Sequence, residues 1–153
     1  ISSWRRPNPN SVPWDTKSSG LYMICTLSKH VAESKGFTDS LMLDHEDNIA
    51  ESTGANIFFK NEKNEIHTPI PDSFLDGITR RCVIDIAKSK GIKIIERKIK
   101  PDEMSSFSGC FLTGTAAEVT PVSQIDKYKF SVCDVIKDLS KSYQALVQKK
   151  TAA

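Results

Sequence analysis

The sequence lacks any long hydrophobic run. Its longest mostly apolar stretches, such as Ser40 to Leu43, span only a few residues, whereas a membrane-spanning helix needs roughly 20. It also lacks an excess of charge of one sign, because 21 basic and 19 acidic residues give a net charge of +2. No basic stripe interleaved with aromatic residues, typical of nucleic-acid binding, is present. We therefore expect a soluble protein with neither a membrane nor a nucleic acid as its partner.

Cysteine and histidine are scarce and scattered. Cys25, Cys82, Cys110 and Cys133 include no Cys-x-x-Cys pair, and the three histidines are isolated from one another and from the cysteines, so a zinc site is not expected. A chain of 153 residues can bury its own core without disulfide bonds. We expect four buried, unpaired thiols in a reducing cytoplasm, in preference to a disulfide framework.

The chain also begins without the usual marks of a complete protein. It starts at Ile1 and has no charged and apolar segments typical of a secretion signal, so we expect a part of a longer protein. Pro7, Pro9 and Pro13 disfavour both a helix and a central strand near the start. We interpret residues 1–16 as an interdomain linker and residues 17–153 as one domain.

Hydrophobic periodicity predicts a mixture of helices and strands. Helices are predicted at Ser18–Lys35, Ile78–Ser89 and Cys133–Lys149, with a helical turn at Pro101–Ser105. Strands are predicted at Ser40–Leu43, Asn48–Glu51, Asn56–Lys60, Glu65–Thr68, Ile92–Ile99, Cys110–Gly114 and Val119–Val122, with a hairpin turn at Asn61–Asn64. The expected fold class is α/β with an antiparallel component, that is α+β.

The predicted helices each present one apolar or small-residue face. In the first helix this face comprises Leu21, Ile24, Cys25, Ser28, Val31 and Ala32. In the second it comprises Ile78, Cys82, Val83, Ile86 and Ala87. Such faces are expected to be buried against the sheet.

Two ionisable residues could serve a cofactor that contains an aldehyde and a ring nitrogen. Lys17 could supply an amine, which must lose its proton to attack an aldehyde, although a lone lysine is more often a solvated surface charge. Glu51 ends a predicted strand and is followed by small residues that leave room for a flat ring. Its carboxylate could hold the proton of a pyridine nitrogen, or it could merely cap backbone amides in a turn.

Two glycine-containing segments could bind anions. Residues Asp76 to Thr79 begin a predicted helix whose first amides have no partner within the helix, and Gly77 permits an anion to approach closely. A simple helix cap by Asp76 is the alternative. The turn from Thr113 to Ala117 could expose amides and a hydroxyl to a phosphate or a substrate carboxylate, or be a tight turn selected only for packing.

The order of these segments resembles that of the class IV aminotransferases, which are fold-type IV enzymes dependent on pyridoxal phosphate. The family signature is met by Glu51, Thr53, Asn56, Ile57, Phe58, Thr68, Gly77, Ile78 and Arg80. Within the family, the segments Ser2–Arg6 and Gly114–Val122 are most similar to branched-chain amino acid aminotransferases. Residues 129–134 stand where relatives often have a glycine-rich segment, so the sequence departs from the family pattern there and the resemblance does not predict the local structure.

The resemblance implies a role for seven residues. It implies that Lys17 is the covalent attachment point of pyridoxal 5'-phosphate and moves the substrate proton, that Glu51 contacts the ring nitrogen, and that Tyr22 contacts the phenolic oxygen. Ile78 and Thr79 are implied as phosphate ligands at the helix start. Thr115 is implied as a phosphate ligand and, with Ala116, as part of the substrate carboxylate site.

The resemblance also implies a fold and an activity. The fold would be the C-terminal domain of a fold-type IV enzyme, a mixed sheet or pseudo-barrel with flanking helices, and the N-terminal domain would be absent. The activity would be transamination of leucine, isoleucine or valine with 2-oxoglutarate by a cytoplasmic homodimer in branched-chain amino acid biosynthesis, and this part alone is expected to be inactive. A D-amino acid aminotransferase, an aminodeoxychorismate lyase and a non-catalytic fragment are the alternatives.

Overall fold

The computed structural model describes residues 1–149, so residues 150–153 of the predicted domain lie outside the described part. The helices are α1 Met23–Ser34, α2 Ile78–Ser89 and α3 Asp134–Lys149, and 3-10 helices occupy Ser19–Leu21 and Pro101–Ser106. The strands are β1 Leu41–Leu43, β2 Ile49–Ser52, β3 Asn56–Asn61, β4 Ile66–Thr68, β5 Ile94–Glu96, β6 Phe107–Gly114, β7 Glu118–Pro121, β8 Gln124–Ile125 and β9 Tyr128–Lys129.

The first seven strands form one mixed sheet around β3. Along one edge β3 pairs with β6, and along the other it pairs with β2 at its start and with β4 at its end. All pairings among these strands are antiparallel except that of β4 with β5, and β8 and β9 form a separate antiparallel ribbon. The predicted α+β fold with an antiparallel component is confirmed.

Strand β3 is buried on both faces, and its three consecutive apolar residues Ile57, Phe58 and Phe59 fit this burial. Ile57 and Phe59 point into a cluster with β1, β2 and the segment around Met104. Phe58 points to the opposite face, where it packs with residues of α2 and α3. Because successive side chains in a strand point to opposite faces, one short segment anchors two cores, and β3 is the structural centre of the domain.

Helix α2 was predicted with its observed bounds, but not with its observed buried face. Val83 and Ala87 are buried as expected, whereas Ile78 is 73% exposed at the start of the helix. In α1, Val31 was expected on the buried face and is 48% exposed. In both helices the residue fits the apolar repeat, but the neighbouring described elements do not reach it.

Two further expectations need correction. The strand predicted at Ile92–Ile99 is reduced to β5, because β5 pairs only along the three residues of β4. All four thiols are free, but only Cys25 and Cys110 are buried, whereas Cys82 and Cys133 are partly exposed. These two lie at the edge of the core cluster beneath α2 and α3.

The first residues pack on the sheet. The amides of Ser2 and Arg6 donate to the carbonyls of Leu41 and Leu43 over 2.8 and 2.7 Å, so this segment runs beside β1 in an extended conformation. Arg6 is 1% exposed. The role of residues 1–16 as a connection between domains stays a prediction.

No helix within residues 1–149 is long and apolar enough to cross a membrane. The same residues contain no group of three or more histidine, cysteine, aspartate or glutamate side chains arranged to hold a metal ion.

Candidate active site

The end of the sheet formed by β2, β3 and β6 carries a row of polar residues. Glu51 is the register partner of Asn56, and Asn56 is in turn the partner of Thr113. Antiparallel partners lie about 4.5–5.5 Å apart, so residues far apart in sequence become neighbours. The strand register thereby places Glu51 and the β6–β7 turn at the same end of these three strands.

A cavity of about 270 Å³ lies at this end of the strands. It is lined by Lys17, Tyr22, Glu51, Gly54, Ala55, Asn56, Leu75, Asp76, Gly77, Ile78, Thr79, Thr113, Gly114 and Thr115. Six of the seven residues implied by the family resemblance are therefore brought together. Ala116 is the exception, because it is an exposed turn residue that does not line the cavity.

Glu51 is a buried carboxyl group at the floor of the cavity. It is 7% exposed, and burial raises its pKa to about 8 although the nearby Arg6 guanidinium opposes the shift. Its Oε1 lies 3.5 Å from Nε of Arg6, and its Oε2 accepts a hydrogen bond of 3.3 Å from Nδ2 of Asn56. These side chains, in place of the backbone amides considered from the sequence, are its neighbours.

Arg6 ties the start of the chain to the cavity. Its Nη1 donates to the carbonyl of Leu21 over 3.1 Å and to Sγ of Cys25 over 3.3 Å. The same guanidinium therefore fixes both Glu51 and the 3-10 turn that precedes Tyr22. Arg6 could not be identified as a site residue from the sequence, because the proline-rich segment around it gives no sign that this arginine is buried.

Lys17 and Tyr22 line the cavity from the segment that precedes α1. The Lys17 side chain is exposed and its amine makes no hydrogen bond or ion pair with residues 1–149, so it is available to a ligand. Burial raises the pKa of the Tyr22 phenol, and the adjacent Glu51 raises it further while Arg6 lowers it. The phenol is therefore a hydrogen-bond donor over a wide pH range.

The start of α2 offers unoccupied backbone amides. Gly77 is the N-cap residue and no side chain caps the helix, which leaves the first amides available to an anion. Asp76, considered as a cap from the sequence, pairs instead with Arg80 over 2.8 Å. Thr79 is 4% exposed and its hydroxyl lies 3.3 Å from that of Tyr143, so a direct bond from this hydroxyl to phosphate stays a prediction.

The β6–β7 turn closes the cavity. A Cβ on Gly114 would lie 3.3 Å from Cβ of Ala55 and 3.4 Å from the carbonyl of Gly54, so a glycine lets the two turns approach closely. The hydroxyl of Thr113 is buried beside the cavity and has no hydrogen-bond partner among the described residues. A buried polar atom without a partner at a cavity wall is a point of contact for a polar ligand.

A cavity combining an amine, a buried carboxyl group and an uncapped helix start, on a mixed sheet with flanking helices, is typical of an enzyme that binds a phosphorylated cofactor. The model of the family "Amino-transferase class IV" matches residues 1–125. The chain belongs to the class IV aminotransferase family. This finding confirms the resemblance read from the signature residues.

Branched-chain amino acid aminotransferases are among its most similar relatives. The chain is 40% identical over 152 residues to a probable branched-chain-amino-acid aminotransferase of Rickettsia felis, covering 97% of this chain and 52% of that protein. It is 37% identical over 155 residues to the branched-chain-amino-acid aminotransferase of Pseudomonas aeruginosa, covering 99% and 50%. The chain thus spans about half the length of the curated relatives it matches.

Solved structures agree with this assignment. The branched-chain aminotransferase of Thermoproteus uzoniensis with norvaline matches with a TM-score of 0.93 and 32% identity, covering 98% of this chain and 50% of that one. The branched-chain amino acid aminotransferase of Thermobaculum terrenum, in its PLP form, matches with a TM-score of 0.90 and 31% identity, covering 95% and 49%. The fold is therefore that of a fold-type IV aminotransferase.

Proposed function

We propose that this chain forms the cofactor-binding part of an aminotransferase that uses pyridoxal 5'-phosphate. The proposed reaction transfers the amino group of branched-chain L-amino acids to 2-oxoglutarate, which gives 2-oxo acids and glutamate. The observation that carries the proposal is the convergence of Lys17, Glu51 and the start of α2 on one cavity. The names of the relatives support the substrate class.

The residues present fit this cofactor. The uncapped amides at the start of α2 suit its phosphate, and the buried Glu51 suits a ring nitrogen that carries a proton. The free hydroxyl of Thr113 at the cavity wall is a further polar contact. When bound, pyridoxal 5'-phosphate supplies an aldehyde that reacts with amines and a ring that accepts electron density from the substrate.

The candidate site residues then have defined tasks. Lys17 would hold the cofactor covalently through Nζ until the substrate amine displaces it, and the freed amine of Lys17 would then move the α-proton of the substrate, acting as general base and then general acid. Glu51 would share a proton with the ring nitrogen in a hydrogen bond. The phenol of Tyr22 would donate a hydrogen bond to the phenolic oxygen of the cofactor. Thr115, with the amide of Ala116, would orient the substrate carboxylate.

The protein as a whole is proposed to act as a cytoplasmic homodimer. A second domain would complete the side-chain pocket, since the chain spans about half the length of its curated relatives. Under this proposal residues 1–16 connect the two domains, and this chain alone has little activity.

Trapping of Lys17 tests the cofactor assignment. The natural full-length protein is mixed with pyridoxal 5'-phosphate, reduced with borohydride and digested, and the label is located by mass spectrometry. We expect the label on Lys17, its loss in Lys17→Ala, and its retention in Lys29→Ala, which removes a lysine that is about half exposed on α1. A label on another lysine of the wild-type protein, or none, would contradict the proposal.

A comparison of amino donors tests the substrate class. L-leucine with 2-oxoglutarate should give glutamate, whereas D-alanine should not. Turnover of D-alanine without turnover of L-leucine would identify a D-amino acid aminotransferase. Labelling of Lys17 without turnover of either donor would favour a lyase or a non-catalytic protein.

A further inference from the structure

The side chain of Asn56 is fully engaged between two segments of the cavity. Asn56 is 4% exposed. Its Oδ1 accepts from the amide of Gly77 over 3.1 Å, while its Nδ2 donates to the carbonyl of Leu75 over 2.8 Å. Because one neighbour is a backbone donor and the other a backbone acceptor, the orientation of the amide is defined by its partners. The side chain therefore fixes the loop that leads into α2.

The same side chain also contacts the carboxyl group at the other end of the cavity. Its Nδ2 donates to Oε2 of Glu51 over 3.3 Å, and the two residues are register partners across β2 and β3. One buried amide thus joins Glu51 to the first residues of α2. The hydrogen bonds of this one side chain therefore span the distance between Glu51 and the start of α2.

The lack of a side chain at Gly77 leaves room for the side chain of Asn56. Its φ of −62° and ψ of 144° are open to any residue, so the backbone conformation does not require glycine. A Cβ at this position, however, would lie 2.4 Å from Oδ1 of Asn56, which is closer than non-bonded atoms approach. The absence of a side chain at position 77 is explained by the hydrogen bond to Asn56.

We propose that Asn56 is a positioning residue that sets the separation between the ring-nitrogen end and the phosphate end of the cofactor site. The inference rests on the proposed function, because it concerns a ligand that reaches both ends at once. Such a ligand gains full affinity from its phosphate only if the helix start lies at the correct distance from Glu51. Asn56 acts through Glu51 and the α2 amides, and it needs no contact with the cofactor.

The affinity gained from the phosphate is the quantity to measure. Dissociation constants of pyridoxal 5'-phosphate and of pyridoxal, which lacks the phosphate, are determined for the natural full-length protein and for Asn56→Ala. We expect the ratio of the pyridoxal constant to the pyridoxal 5'-phosphate constant, which measures the affinity gained from the phosphate, to fall about tenfold in the variant, the scale of one buried hydrogen bond. A merely structural loss would weaken both ligands equally and leave the ratio unchanged.

Asn48→Ala is the matched control. Asn48 is also 4% exposed and donates to Oδ2 of Asp44 over 2.9 Å, but it does not line the cavity. Its variant should melt at a lower temperature and keep the wild-type ratio. A fall of the ratio in Asn48→Ala equal to that in Asn56→Ala would overturn the inference.

Gly77→Ala tests the other half of the pair and serves if Asn56→Ala does not fold. Its added Cβ displaces the Asn56 amide, so the ratio should fall by a similar factor. In the double variant Asn56→Ala/Gly77→Ala the Cβ has room, and the two effects should not add. Full additivity, or an unchanged ratio in Gly77→Ala, would overturn the inference.

The proposed function and the inference fail in different ways. If the wild-type protein binds both ligands and is labelled at Lys17, but Asn56→Ala keeps the wild-type ratio, the inference is wrong and the proposed function stands. If the wild-type protein binds neither ligand, both fail.

Discussion

Glu51 is a carboxyl group that the fold removes almost completely from water. Burial outweighs the attraction of Arg6, so in the free protein its pKa is raised to about 8, and it carries a proton at neutral pH. A protonated ring nitrogen beside it would favour the charged form. Binding of a protonated ring nitrogen would therefore be coupled to the ionisation of this one residue.

This pKa shift predicts how the stability of the cofactor-free protein varies with pH. The unfolded chain releases the Glu51 proton near pH 4.5 and the folded chain only near pH 8, so between these values the folded state binds more protons. The stabilisation from the protonated group is fully present below about pH 4.5 and is lost as the pH rises to about 8. Raising the pH through this window should destabilise the fold.

Glu51→Gln should remove this dependence, because a neutral amide replaces the titrating group. Urea unfolding of the cofactor-free protein is measured between about pH 5 and pH 8.5. We expect the variant to gain up to about 4 kcal/mol relative to wild type across this range, the magnitude set by the shift at 1.36 kcal/mol per pKa unit. Glu33→Gln, at a half-exposed site on α1, should follow wild type. Parallel curves for wild type and Glu51→Gln would contradict the assignment.

At the scale of elements, the pairing of β3 with β6 carries both the core and the site. Phe58 and Phe111 are register partners, and their rings are stacked with centroids 4.9 Å apart and planes 4° from parallel. Asn56, two residues before Phe58, and its register partner Thr113, two residues after Phe111, line the cavity. Stacking of the two rings therefore stabilises the part of the sheet that presents these polar groups.

A double-mutant cycle on this pair should reveal the coupling. Phe58→Leu and Phe111→Leu each remove one ring, and the cycle with the double variant should give about 0.5–1.5 kcal/mol beyond the loss of buried area. Phe130 packs in the cluster on the opposite face of β3, so Phe58→Leu and Phe130→Leu should be additive. Urea unfolding measures all variants, and equal coupling in the two cycles would rule out a specific contribution of the stack.

The elements differ in how far the sequence predicts them. Helix α2 was predicted with its observed bounds, because a glycine precedes it and the apolar repeat ends before Gly91. Strands β8 and β9 were not predicted, because each has two residues and so carries no periodic pattern. The length of β5 is set by the three residues of β4, its partner in the sheet. The residues of β5 alone therefore do not predict where the strand ends.

At the scale of the whole molecule, the cavity joins distant parts of the chain. Lys17 and Tyr22 come from its start, Glu51 from the second strand, Ile78 from the beginning of α2, and Thr115 from the β6–β7 turn. The residues that a linear signature contains could be found from the sequence. The residues that position these site residues, above all the buried Arg6, come together only through tertiary packing, so they could not be found from the sequence.

Because its walls come from so many segments, a ligand in the cavity should stabilise the entire fold. At a pyridoxal 5'-phosphate concentration of about 100 times its dissociation constant, binding to the folded state alone adds about 2.7 kcal/mol. For a cooperative unit of about twice the length of this chain, such a gain raises the melting temperature by about 4 °C. The measurement is a thermal melt of the natural full-length protein with and without the cofactor.

The variants separate a specific cofactor site from a general anion site. Lys17→Ala removes the attachment point but none of the packing, so its melting temperature without ligand should match wild type while the shift with pyridoxal 5'-phosphate becomes smaller. Inorganic phosphate at the same concentration contacts only the start of α2 and should shift wild type by much less. An equal shift from inorganic phosphate would mean that the anion alone is recognised, and the carboxyl and amine at the other end of the cavity would then have no part in binding.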